Sequence, residues 1–211
     1  MFSFLVMYDS CINEQEERMI ELSLVEVASL FPSLNLIIFQ PGEYEILPLA
    51  DIAVEKSRPD KNGAINAIDA LKMVSKGAAE NYAILFVSRE MYVNVSDLGI
   101  DSNKTENVID VLSENALVCS IGSLRSLDLE DQIHMVQHSV CNAIGQLVFD
   151  LSDECHDRTC MMYKVGSEQE TLELAKREDH GKQRLCKKCL QKSLNKISVE
   201  DRMTPSRIDI C

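Results

Sequence analysis

The sequence predicts an α/β domain whose C-terminal segment is clipped in place by a four-cysteine zinc site. Three observations carry that expectation. Short apolar runs recur along the chain, and stretches with helical periodicity separate them. The run at 82–88 (YAILFVS) is nearly continuous in apolar residues, which suits a strand covered on both faces. Two close-spaced cysteine pairs, Cys155-x4-Cys160 and Cys186-x2-Cys189, follow the last long helical stretch.

The elements follow in chain order. Residues 2–8 are a short apolar run, read as a central strand. Residues 13–31 place Met19, Ile20, Leu22, Val25, Ala28, Leu30 and Phe31 at the spacing of an amphipathic helix. Asn13 suits the N-cap, and Glu14 and Glu16 suit the positive end of the helix dipole. Residues 34–39 read as a second strand. Residues 40–59 carry Pro41, Gly42, Pro48 and Pro59 and read as a loop. A helix is expected over 62–76, closed by Gly77. Strands are expected at 82–88 and 116–121, with a polar surface loop at 97–107. Residues 127–149 read as a long helix, with Asp128, Glu130 and Asp131 at its start. A polar, cysteine-bearing loop leads to a short basic helix at 187–196. The expected organisation is one domain over 1–198, its structural-zinc segment at 150–198, and a flexible tail at 199–211.

Composition narrows the classes. A chain of 211 residues suits one domain of ordinary size, and 45% apolar content supports a sizeable core. Aromatics are 5% with no Trp, so aliphatic side chains and the nine Met must fill that core. A net charge of -13 argues against nucleic acid as a partner, because phosphate backbones require a cationic surface. No stretch approaches the ~20 apolar residues that cross a bilayer. Residues 1–8 carry no basic n-region and no cleavage signature, so a cytoplasmic protein is expected. In that compartment, clustered cysteines point to metal rather than to disulfides.

Cys155, Cys160, Cys186 and Cys189 offer four thiolates from two short chelating loops, the donor set of a tetrahedral structural zinc. A closed four-sulfur shell leaves no open position for substrate, so its role would be to tie the C-terminal helix to the domain. Flanking Lys182, Arg184, Lys187, Lys188 and Lys192 would offset the net negative charge of such a shell, or form a solvated helix face. The competing reading of the four cysteines is free or redox-active thiols. Cys11, Cys119, Cys141 and Cys211 have no partner spacing.

The order of these parts resembles the archaemetzincins, a family of metzincin-type zinc peptidases with the pattern H-E-x-x-H-x-x-G-x-x-H-C-x4-C-x-M followed by C-x2-C. Residues 58–67 (RPDKNGAINA) look like the family's loop-to-helix segment, and 82–87 and 116–125 like the strands before its zinc helix. The resemblance runs from about residue 2 to about 196 and implies a metzincin-like zincin domain with a twisted mixed sheet and long helices. It places His138 at the first His of the motif, Gly145 at its Gly and Met162 at the methionine of the turn beneath the metal. It places Cys155, Cys160, Cys186 and Cys189 at the structural zinc.

The departures fall on the chemistry. The general-base Glu position is Ser139, the second His position is Asn142, and the third is Val148 by direct count. About six inserted residues separate Val148 from Cys155. A catalytic zinc needs three protein ligands and an open position, which one imidazole, an amide and an isopropyl group cannot supply. Losing the base alone removes an effect of about 10^2 to 10^4-fold. A second register pairs His134 with His138 at i, i+4 on one helix face, the correct spacing for two zinc ligands. Met135 then stands for the Glu, Cys141 for the Gly and Ile144 for the third His, and a third ligand would come from Asp150, Asp153 or His156.

Three functions follow as expectations. The leading one is a pseudo-metallopeptidase that keeps the structural zinc, lacks the catalytic one, and binds a peptide or protein partner. The alternative is an active zinc-dependent peptidase using His134 and His138, with a second ion. A third is redox or zinc sensing by the cysteine pairs. The sequence leaves partner identity and oligomeric state open.

Overall fold

A computed structural model describes residues 2–31, 34–38, 47–78, 81–100, 104–151, 155–163, 168–175 and 185–200. Its centre is strand β1 (Phe2–Tyr8), which pairs in parallel with β2 (Leu34–Ile38) on one side and β4 (Tyr82–Val87) on the other. Beyond β4 come β8 (Ala116–Ser120), also parallel, and the antiparallel edge strand β7 (Asp110–Leu112). The sheet order is therefore β2-β1-β4-β8-β7, a mixed sheet as expected.

Alternation along these strands feeds two cores. Phe4, Val6 and Tyr8 of β1, Ile84 and Phe86 of β4, and Leu117 and Cys119 of β8 face one cluster. Met7, Ala83, Leu85, Val87, Ala116 and Val118 face the other. Both faces of the sheet are covered, which is why the runs read as continuous rather than alternating.

The first cluster lies beneath α1 (Glu14–Leu30) and α4 (Leu129–Leu147), which pack on each other. Asn13 closes a capping box at the start of α1. Its Oδ1 accepts from the backbone N–H of Gln15 and Glu16, both at 3.0 Å, and its own N–H donates to Glu16 Oε2 at 3.1 Å. Phe31 and Phe149, just past the ends of α1 and α4, stack with ring centroids 5.0 Å apart. The second cluster lies beneath α2 (Leu47–Lys56) and α3 (Ala67–Ala78). A small sheet, β3 (Ile65–Asn66), β5 (Met91–Asn94) and β6 (Thr105–Val108), completes this side.

Several elements differ from expectation. Helix α2 occupies part of the expected 40–59 loop; its Pro48 falls in the first turn, where a missing N–H is no loss. Helix α3 starts at Ala67 rather than 62. Residues 62–64 instead form a turn on Asp60, whose Oδ1 accepts from the N–H of Asn62 (2.8 Å) and Ala64 (2.9 Å). Ile65 and Asn66 are then drawn into pairing with β5. Gly77 does not close α3, which runs through it; a Cβ there would overlap the Leu49 side chain, so this glycine lets α2 approach. The expected loop at 97–107 contains β6, and a helix α5 (Glu168–Ala175) lies in the polar segment between the cysteine pairs. Helix α6 (Lys187–Glu200) passes residue 198; the 201–211 part of the expected tail lies outside the described residues, as do Asp153, Lys182 and Arg184. Among the described residues no helix is long and apolar enough to cross a membrane.

Candidate metal centre

The loop after α4 brings Cys155 and Tyr163 into a parallel bridge, closing residues 155–163 into a knuckle. Asp157 organises its turn: Oδ1 accepts from the Thr159 N–H at 3.0 Å and its hydroxyl at 2.7 Å. Two backbone N–H groups, from Met162 (3.5 Å) and Cys186 (3.2 Å), donate to Cys160 Sγ. Cys186 precedes α6, where its carbonyl accepts from the Leu190 N–H, and Cys189 lies in the first turn.

The four Sγ atoms lie within 4.8 Å of one another, and all four residues are buried. A tetrahedral site with Zn–S of about 2.3 Å places its sulfurs about 3.8 Å apart. Cys155 Sγ and Cys186 Sγ stand at 3.8 Å. The donor set thus fits zinc in number, type and spacing. The thiols are not at ease as a metal-free cluster. Burial pushes Cys160 up to about 12, and burial with the neighbouring sulfurs raises Cys189. Burial also opposes ionisation of Cys186, but hydrogen bonds from the Cys189 backbone and the other three thiols outweigh it and lower its pKa. A dication would supply the attraction that ionises the thiols whose pKa burial raises. Lys187, Lys188 and Lys192 are exposed and form a solvated face.

The helix that would carry chemistry is α4. His138 is 3% exposed and Ser139 is 2% exposed. Asn142, one turn on, places its amide nitrogen 3.2 Å from His138 Nε2 and 3.4 Å from Nδ1. The same nitrogen donates to His138 O and to Met161 O, both at 3.0 Å. Two carbonyl oxygens fix which end of the amide sits there, so the group turned toward the imidazole is an NH2 donor. Val148 caps the helix and is 1% exposed, within the apolar core. His134 is half-buried, and burial lowers its pKa, favouring the neutral ring. Among the described residues no third histidine, cysteine or carboxylate joins His134 and His138 in a group able to hold a metal.

Gly145 and Met162 pack against each other. A Cβ on Gly145 would lie 2.5 Å from both Cε and Sδ of Met162. The glycine thus lets the turn under the helix pack against it, and Met162 Sδ also lies 4.0 Å from Cys141 Sγ.

One residue was missed by sequence reasoning. Ser139 Oγ donates to Oδ2 of Asp110 in a short hydrogen bond, linking the base position to edge strand β7. Burial raises the Asp110 pKa, against the lowering effect of that bond. Cys119, opposite Asp110 on β8, is raised by burial and by the Asp110 charge. The only signal in the sequence was an acid, Asp110, interrupting the apolar segment IDVL at 109–112.

No family model matches the chain, and no curated protein matches it at a significant level. Solved structures do. The crystal structure of archaemetzincin from Methanopyrus kandleri superposes with a TM-score of 0.57 at 15% identity, covering 93% of this chain and 96% of that one. Archaemetzincin from Archaeoglobus fulgidus, solved with malonate, gives 0.55 at 14% identity, covering 90% and 99%. Coverage of this extent, with the sheet, the long helices and the four-cysteine cluster in place, identifies the architecture: the chain has an archaemetzincin-like fold.

Proposed function

We propose that this protein is a pseudo-metallopeptidase: a zinc protein of archaemetzincin-like fold that binds extended peptide or protein segments without cutting them. The observation that carries the reading is the Asn142 amide, a donor bonded to Met161 O and His138 O where a second metal ligand would have to turn an acceptor. Ser139 supports it. Its hydroxyl occupies the base position and is committed to Asp110. A serine hydroxyl at neutral pH does not take a proton from bound water as a carboxylate does. The structural zinc would lie in the four-cysteine cluster, holding α6 and the 155–163 knuckle on the domain.

Edge strand β7 supports the binding half of the proposal. Ser120 N–H donates to Ile109 O and Ser113 N–H to Ala116 O, so residues 109, 111 and 113 turn their backbone toward β8. Asp110 and Leu112 therefore turn theirs away, as an edge that an extended segment can extend. The test presents zinc-loaded protein with peptides from an unfolded protein and measures retention and cleavage separately. Retention without cleavage is expected, lost in Leu112→Pro, which removes an outward N–H, but kept in Leu112→Ala. Cleavage abolished by His134→Ala or His138→Ala would overturn the proposal in favour of a peptidase, and absence of retention would remove its binding half.

A further inference from the structure

Two helices far apart in sequence carry exposed apolar stripes of opposite electrostatic surroundings. On α1, Leu22 and Val25 are 55% and 67% exposed. On α6, Leu190 and Leu194 are 41% and 43% exposed. These four are most of the large hydrophobic side chains that the described residues leave exposed; Ile100 and Leu129 are the others. Spacings of i, i+3 and i, i+4 make each pair one stripe along its helix.

The charges around the stripes are complementary. Helix α1 carries five glutamates and one cation, Arg18. Glu26 is exposed one turn after Leu22, Glu21 is half-buried, and the exposed Arg18 lies one turn before Leu22. Helix α6 carries Lys187, Lys188, Lys192 and Lys196, with no acid before Glu200. In a chain of net charge -13, this is a local reversal of sign. Helix α6 turns Cys189 and Ser193, 4% and 0% exposed, inward, so the leucine pair lies on a different face.

We propose that the outer face of α6 docks on the outer face of α1 of a second copy of this chain, reciprocally, forming a two-fold dimer. A second copy is the occupant because each stripe finds its complement, apolar and charged, on the chain itself. Both stripes are solvent-exposed, so neither covers the other within one molecule. A two-fold arrangement uses both contacts at once and closes the assembly. The apolar pairs would supply the attraction and the Glu–Lys rows the orientation, with the rows weakened by salt.

Sedimentation of the zinc-loaded protein as a function of concentration and salt tests this. A dimer is expected that weakens as salt rises, and by about tenfold or more in Val25→Glu or Leu194→Glu. Two charge-reversed proteins then discriminate docking from misfolding. One carries Glu21→Lys with Glu26→Lys; the other carries Lys188→Glu with Lys192→Glu. Each alone should be monomeric, since like charges then face one another, and an equimolar mixture should form a heterodimer. A monomer at every concentration overturns the proposal. So does a dimer indifferent to salt and to both apolar substitutions, or a mixture that stays monomeric.

Discussion

Converting Asn142 to aspartate changes almost no volume but replaces an NH2 donor with an acceptor. In the native arrangement that nitrogen lies 3.0 Å from Met161 O and 3.0 Å from His138 O. Asn142→Ala offers the milder comparison. His138 O keeps its helical partner, but Met161 O loses this donor in a residue 4% exposed, at a cost of about 1–3 kcal/mol. Asn142→Asp adds to that loss the repulsion between a carboxylate and two carbonyl oxygens and the desolvation of the charge. In a His138→Ala background, which removes the imidazole 3.2 Å away as a partner for the new carboxylate, it should therefore exceed Asn142→Ala by at least about 1 kcal/mol at neutral pH. Urea unfolding of the zinc-loaded proteins measures both. The sign of the pH dependence follows. A carboxyl facing two carbonyls has a folded pKa above its unfolded value, so the folded state holds the proton more tightly and the penalty grows as pH rises. At low pH the protonated acid can donate to one carbonyl, and the two variants should converge. An Asn142→Asp protein as stable as its His138→Ala parent, or one with His138 intact that is rescued by a second zinc ion, would refute the reasoning.

Other consequences are open to the same measurements. The buried Asp110 carboxyl has a raised pKa, so ionising it costs stability as pH climbs from its unfolded value through its folded one. Asp110→Asn keeps an acceptor for Ser139 and should gain on the parent over that window, by about 1.4 kcal/mol per unit of elevation, with no gain below it. A gain confined to acid pH would contradict this. In Gly145→Ala, better helix propensity is worth about 1 kcal/mol. The clash with Met162 costs about 1–3 kcal/mol, so a net loss is expected, shrinking when Met162→Ala is combined with it; additivity would show that the two do not touch. Asn13→Ala should cost about 1 kcal/mol by opening the capping box of α1.

Much of this architecture could be read from local pattern. Asn13 with Glu16 announced the start of α1, and YAILFVS at 82–88 announced a strand covered on both faces, because each signal is complete within a few residues. The four cysteines were legible because metal-ligand spacing is itself local. The misreadings came where tertiary contacts decide. Gly77 looked like a helix terminator, yet its small size serves the approach of Leu49 from another helix. Pro48 looked like a breaker but sits in the one turn of α2 that tolerates it. Strands β3, β5 and β6 are two to four residues long and exist through pairing that no short window reveals. At the site, the sequence located Ser139 and Asn142 as departures from a pattern. It did not show what each had become: a hydroxyl bonded to Asp110 on a distant strand, and an amide bonded to the turn below.

The most direct test of the account is the zinc content of protein purified without added metal, measured for the parent, Cys186→Ser, and His134→Ala with His138→Ala. The account predicts one zinc per chain, lost in Cys186→Ser and retained when both histidines are removed. Two zinc ions in the parent, with one surviving Cys186→Ser and lost on removal of the histidines, would contradict it and return α4 to catalysis.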